Sequence, residues 1–282
     1  MRESHVDVEG PGEAVRLSYT DWGDRENPDV VLCVHGLTRN GRDFDDLAAA
    51  LAPRWRVICP DVVGRGRSKH FTDKSLYGNP TYVQHLLALV RQLGLAQVDW
   101  VGTSMGGILG MLTAAMPENP IRRLVVNDIG PFIPKAAIDG LAQVVSNRPT
   151  FTSFPAAVAY VAEAMQGFGR LPIEKWQNMT RSSYRENASG EWELIYDRGA
   201  VQGMIEGPRK DTEFWPVWEA IRCPVLLLRG QLSDLLPAET AQEMLTRGPR
   251  TDLVVIPEVG HAPALMDPWQ IGLVAHWLAT RC

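Results

Sequence analysis

Long apolar runs are missing from this 282-residue chain. Nowhere do about eighteen apolar residues follow one another, so no helix that spans a bilayer is expected. The amino terminus, Met1-Arg2-Glu3-Ser4-His5-Val6-Asp7, lacks the apolar segment of a signal peptide, and a cytoplasmic protein without membrane insertion is the expectation. Cysteine is scarce. Cys33, Cys59, Cys223 and Cys282 show no C-x-x-C and no Cys/His ligand spacing, which argues against a zinc site and for reduced, mostly buried thiols. An excess of positive charge is absent too. The 28 Lys+Arg against 33 Asp+Glu give a net charge of -5, and the basic residues are scattered, so a nucleic-acid partner is not expected. No internal repeat or low-complexity tract occurs.

What is present is a chain that can bury a large core, with 45% hydrophobic and 22% charged residues. Short apolar runs alternate with helical patterns. Val15 to Thr20, Val30 to Val34, Arg56 to Cys59, Val98 to Val101, Leu124 to Asn127, Val225 to Arg229 and Leu253 to Ile256 read as strands. Asp45 to Leu51, Thr81 to Leu93 and Pro237 to Thr246 read as helices between them. This rhythm predicts an α/β fold with a mostly parallel, doubly wound sheet. It breaks once, from about Pro131 to Trp215, where helix-like Pro155 to Met165 and Ile173 to Arg185 predict an inserted helical lid. The expected division is a core of residues 1–131 and 216–282 with a cap of residues 132–215.

Gly102-Thr103-Ser104-Met105-Gly106 lies between the Val98 to Val101 run and a helix-like stretch, Gly107 to Met116. A serine on a strand-to-helix turn, flanked by glycines that allow the sharp bend, is the arrangement of a nucleophile elbow. A serine hydroxyl is too weakly acidic to attack unaided and needs a base. Of six histidines, His5 sits at a terminus expected to fray, His70 and His85 lack active-site context, and His276 belongs to a terminal helix. His35 opens the His35-Gly36-Leu37 turn, where holding the turn is its expected job. His261, in Val259-Gly260-His261-Ala262-Pro263 after the last strand, is carried to the carboxyl edge of the sheet and is the candidate base.

With these motifs the chain resembles the α/β-hydrolase superfamily over nearly its whole length, and specifically its capped serine hydrolases. The resemblance implies an oxyanion hole made by the backbone N–H groups of Leu37 and Met105, which would stabilise the charge that develops on a carbonyl oxygen. The acid departs from the common pattern. Relatives place Asp three residues after the glycine that ends the seventh strand; here that position is Ser233, with Asp234 one later. Asp128, in Asn127-Asp128-Ile129-Gly130-Pro131, ends the sixth strand and resembles the Asp-Ile-x-Pro motif of small bacterial esterases. The resemblance leans to Asp128, with Asp234 as alternative or second partner; either would orient His261.

Other motifs read as structural. Gly64-Arg65-Gly66-Arg67-Ser68 lacks the third glycine of a dinucleotide fingerprint and resembles the packing loop of this superfamily, with Asp61 a turn acid. Phe132, Phe154, Phe168, Trp176, Trp192 and Trp215 are candidates for a pocket or for the lid's own core. Arg181 and Arg185 share a predicted helix face. The expectation is a serine carboxylesterase of small to medium esters, monomeric or homodimeric, needing no metal or organic cofactor. A lactonase or a carbon-carbon bond (meta-cleavage product) hydrolase is the alternative, and a non-catalytic ligand receptor is a further one. Alkyl-enzyme chemistry of the dehalogenase kind would need Asp at position 104.

Overall fold

The computed structural model describes residues 1–280; Cys282 lies outside them. The chain opens with β1 (Arg2–Val8) and β2 (Val15–Trp22), which pair antiparallel in register from Arg2↔Asp21 to Val8↔Val15. β1 was not expected, and His5 belongs to it rather than to a frayed end. Its side chains alternate between exposed and half-buried with only Val8 fully covered, so no apolar period marks it. The backbone ladder to β2 holds it, and its charged side chains suit a sheet edge.

There follow β3 (Val30–Val34), α1 (Asp45–Leu51), β4 (Arg56–Pro60), α2 (Asn79–Gln92), β5 (Val98–Thr103), α3 (Met105–Ala114) and β6 (Ile121–Asn127). β3 and β4 are buried at every residue, as expected of strands covered on both faces. The next segment contains β7 (Phe132–Ile133), α4 (Lys135–Ser146), α5 (Phe154–Ala164), α6 (Ile173–Ser183), β8 (Tyr184–Glu186), β9 (Trp192–Leu194), α7 (Gly199–Glu206) and β10 (Thr212–Glu213). The chain ends with α8 (Trp215–Ala220), β11 (Val225–Gly230), α9 (Ala238–Thr246), β12 (Thr251–Ile256) and α10 (Pro268–Thr280).

Eight strands form one sheet in the order β1-β2-β4-β3-β5-β6-β11-β12, parallel from β4 through β12. Trp100, Leu109, Leu124 and Leu227 pack on one face; Val31, Leu47, Val125 and Leu228 pack on the other. The carboxyl ends of β5, β6 and β12 therefore converge on one edge. The inserted segment leaves and re-enters the core through a pinned neck, because β7 and β10 pair antiparallel. It has its own small core around Val158, Val161, Trp176 and Met179. α6 stops at Ser183, so Arg185 is not on a helix face with Arg181. It lies in β8 and pairs with Glu193, while Arg181 stacks over the Phe154 ring.

Candidate active site

Ser104 joins β5 to α3 with φ 53° and ψ -116°, a conformation that costs an L-residue energy and aims its side chain out of the turn. Two glycines make the turn possible. A Cβ on Gly102 would stand 2.2 Å from the Gly106 carbonyl oxygen, and one on Gly106 would stand 1.9 Å from that of Val34. The turn is tied down by Ser104 N–H donating to the Asn127 carbonyl at 2.9 Å and by the Trp100 indole donating to the Gly106 carbonyl at 3.0 Å.

His261 follows β12. Its Nε2 stands 2.9 Å from Ser104 Oγ, and its Nδ1 stands 2.9 Å from Asp128 Oδ2. Asp128 is fully buried at the end of β6, with φ 60°, and its Oδ1 accepts the Gly230 N–H at 2.7 Å. Both carboxylate oxygens thus have donors, as a buried acid requires. Asn127 braces the loop after His261 by donating its side-chain N–H to the Pro263 carbonyl at 2.8 Å and to Thr103 Oγ1 at 3.0 Å. The structure brings Ser104, His261 and Asp128 together and leaves Asp234 apart. Asp234 is exposed at the rim of the same cavity, and the Ser233 hydroxyl beside it accepts the Leu236 N–H at 3.2 Å.

His35 holds its turn. Its Nδ1 faces the Gly36 carbonyl at 2.7 Å and its Nε2 accepts the Val62 N–H at 2.9 Å. That pattern requires a neutral ring, and burial pushes its pKa down to about 3. Leu37 lines the cavity, and Met105 opens α3, where first-turn N–H groups lack intrahelical acceptors and the helix dipole favours negative charge. Behind both lies Arg65, fully buried, which sequence reading passed over as part of a packing loop. Its Nε donates to the Leu37 carbonyl at 2.8 Å, its Nη1 to the Val63 carbonyl at 2.9 Å, and its Nη2 approaches Met105 Sδ at 3.7 Å. Asp61 is the buried turn acid expected, accepting the Gly41 and Arg67 N–H groups at 2.8 and 2.9 Å.

Above Ser104 and His261 opens a cavity of about 320 Å³. α4 supplies Ala137, Leu141, Val144 and Val145, and the chain after α5 supplies Met165 and Phe168. Of the aromatics singled out in the sequence, Phe168 alone borders this cavity. Phe154, Trp176 and Trp192 pack within the inserted segment, and Trp215 packs on the main core beneath the Arg247 guanidinium. Arg39 and Asp43 also face the cavity and were not anticipated. Among the described residues no group of three His, Cys, Asp or Glu side chains is placed to hold a metal ion.

Comparison with known proteins agrees with this architecture. A 3-hydroxybutyrate-oligomer hydrolase of Cupriavidus necator is 39% identical over 283 residues, covering 96% of each chain. A 2-(acetamidomethylene)succinate hydrolase of Mesorhizobium japonicum is 27% identical over 82% of this chain and 81% of its own. The crystal structure of an alpha/beta hydrolase from Novosphingobium aromaticivorans superposes with a TM-score of 0.87 at 33% identity, covering 99% of this chain and 98% of that one. The model of the alpha/beta hydrolase family matches residues 31–270, and this chain belongs to that family.

Proposed function

We propose that this protein is a serine carboxylesterase in which Ser104, His261 and Asp128 act as a triad. The observation that carries the reading is the unbroken hydrogen-bond relay from Ser104 Oγ through the His261 ring to Asp128, at 2.9 Å on either side of the imidazole. His261 Nε2 accepts the hydroxyl proton as Ser104 Oγ attacks the ester carbonyl, and Asp128 stabilises the imidazolium that results. The carbonyl oxygen gains negative charge and rests on the Leu37 and Met105 N–H groups, each contributing a few kcal/mol to the lowering of the barrier. The imidazolium then gives its proton to the departing alkoxide, which leaves as the alcohol. Water, deprotonated by His261, attacks the acyl-enzyme; the acid is released and Ser104 recovers its proton.

Residues 132–215 serve as a cap in this reading, since α4 and the chain after α5 wall the cavity beside the nucleophile. The mostly aliphatic lining and a volume of about 320 Å³ suit acyl groups of a few carbons, with the ester as small-molecule substrate. The free thiols of Cys33, Cys59 and Cys223 suit a reducing, cytoplasmic setting. A second, narrower reading, hydrolysis of oligomeric hydroxyacid esters, draws on the 39% identity to the Cupriavidus necator protein.

The test is hydrolysis of p-nitrophenyl esters from acetate to palmitate by the wild type and by Ser104→Ala. Turnover that falls with chain length and disappears in the variant is expected. A folded wild type inert on every ester, or a variant that retains the wild-type rate, would overturn the reading.

A further inference from the structure

The cavity is apolar, lined by aliphatic side chains with Phe44 and Phe168, apart from its catalytic floor, the exposed Asp234 at its rim, small hydroxyl and backbone groups, and one ion pair. Arg39 and Asp43 stand four residues apart, just after the Leu37 turn. Arg39 Nε donates to Asp43 Oδ2 at 2.8 Å and Nη2 to Oδ1 at 2.7 Å, and the side chains are 7% and 13% exposed. Two of the five guanidinium N–H groups are used in this way. The others have no protein partner among the described residues, and both side chains border the cavity. The pair shares a wall with the nucleophile: the place a Gly36 Cβ would occupy lies 3.7 Å from Arg39 Cγ and 3.7 Å from Ser104 Cβ. An ion pair that merely held the turn would gain nothing from facing a ligand cavity, and an apolar wall there would avoid its desolvation cost.

We infer that the Arg39–Asp43 pair is a subsite for a hydroxyl group on the acyl part of the substrate, which makes esters of short hydroxy acids the preferred class. Asp43 already compensates the Arg39 charge and Asp234 adds a further negative charge at the rim, so a free carboxylate is poorly matched to this wall. A hydroxyl is well matched. Its oxygen accepts a spare guanidinium N–H while its proton goes to an Asp43 oxygen, and each Asp43 oxygen has a lone pair left for it. A purely apolar acyl group would leave both members of the pair desolvated with nothing in return. This inference rests on the Ser104 esterase reading for its turnover measurements.

The experiment compares kcat/KM for p-nitrophenyl 3-hydroxybutyrate, p-nitrophenyl butyrate and mono-p-nitrophenyl succinate, in the wild type and in Asp43→Asn. Calorimetric binding of 3-hydroxybutyrate, butyrate and succinate runs in parallel and needs no turnover. The wild type is expected to favour the hydroxy ester over butyrate by at least about tenfold. Asp43→Asn should lower that ratio about tenfold and raise the succinate-to-butyrate ratio, because it frees the Arg39 charge. Arg39→Lys, which keeps the charge and loses the planar fork, should fall between them. A wild type that does not distinguish the hydroxy ester from butyrate, or prefers the succinate ester, would overturn the inference whatever the variants do. Absence of all ester turnover with hydroxyl-selective binding that Asp43→Asn removes would overturn the esterase reading and leave the subsite standing.

Discussion

Asp128 faces two partners at once: Oδ1 accepts the Gly230 N–H at 2.7 Å while Oδ2 stands 2.9 Å from His261 Nδ1. The neighbouring strand thereby fixes the rotation of the carboxylate that orients the imidazole. Asp128→Asn keeps the shape and offers an amide where His261 needs an acceptor, so it is expected to lower kcat by about 10⁴-fold. Asp234→Asn, at an exposed position with no hydrogen bond to His261, should cost no more than about tenfold. Steady-state kinetics of both variants on p-nitrophenyl acetate separate the two, and equal losses would show that the acid role is shared.

The elbow glycines are constrained by backbone, which cannot step aside. With 1.9 Å between a Gly106 Cβ and the Val34 carbonyl oxygen, Gly106→Ala is expected to cost more than about 4 kcal/mol and to unfold the chain or displace α3. Gly203, exposed in α7, has nothing within 4 Å of its virtual Cβ. Gly203→Ala should raise stability by about 0.5–1 kcal/mol through helix propensity alone. Thermal unfolding of the two variants reads both effects.

Arg65 ties the two proposed oxyanion residues together from behind, through the Leu37 carbonyl at 2.8 Å and Met105 Sδ at 3.7 Å, and its guanidinium carbon lies 4.8 Å from the Tyr82 ring centroid. Arg65→Met fills similar space but leaves the Leu37 and Val63 carbonyls without their donor. It is expected to lose about 2–4 kcal/mol of stability and about tenfold in kcat, with Arg65→Lys between it and the wild type. Urea midpoints and kcat measured at a temperature where all three are folded keep the two effects apart.

These residues also mark how far the sequence could be read. The elbow and His261 were legible because each sits at a strand end, and strand order alone carries them to one edge. Which carboxylate meets His261 was not fixed by spacing, since β11 lies between β6 and β12 and both Asp128 and Asp234 follow strands near that edge. What separates them is a local event, the positive φ of Asp128 and the Gly230 N–H that receives its carboxylate, and no apolar period encodes it. Arg65 and the Arg39–Asp43 pair were missed because the destination of a long side chain depends on tertiary packing. For the pair one signal existed: an arginine and an aspartate four residues apart, directly after the His35-Gly36 turn. β1 escaped because one face is wholly polar (Glu3, His5, Asp7) and the other carries only Val6 and Val8 as apolar residues, too short an apolar period to mark a strand, and its ladder to β2 holds it.

His85 sets the expected acid sensitivity. It is 1% exposed in α2, neither ring nitrogen has a hydrogen-bond partner, and the place of a Gly10 Cβ is 2.2 Å from its Nε2. Burial pushes its pKa down to about 4, as burial pushes that of His35 to about 3. The unfolded chain protonates both near pH 6.5, so below that value it binds protons that the folded state refuses. Their contribution is complete above about pH 6.5 and is lost progressively as pH falls towards 4. His85→Leu removes one of the two groups and replaces two unpaired polar atoms with an apolar side chain of similar size. It should match the wild type at pH 7 to within about 1 kcal/mol and exceed it at pH 5 by on the order of 1 kcal/mol. Urea unfolding of both proteins at pH 5 and pH 7 measures the difference. Parallel loss of stability in the two on acidification would assign the sensitivity to other groups.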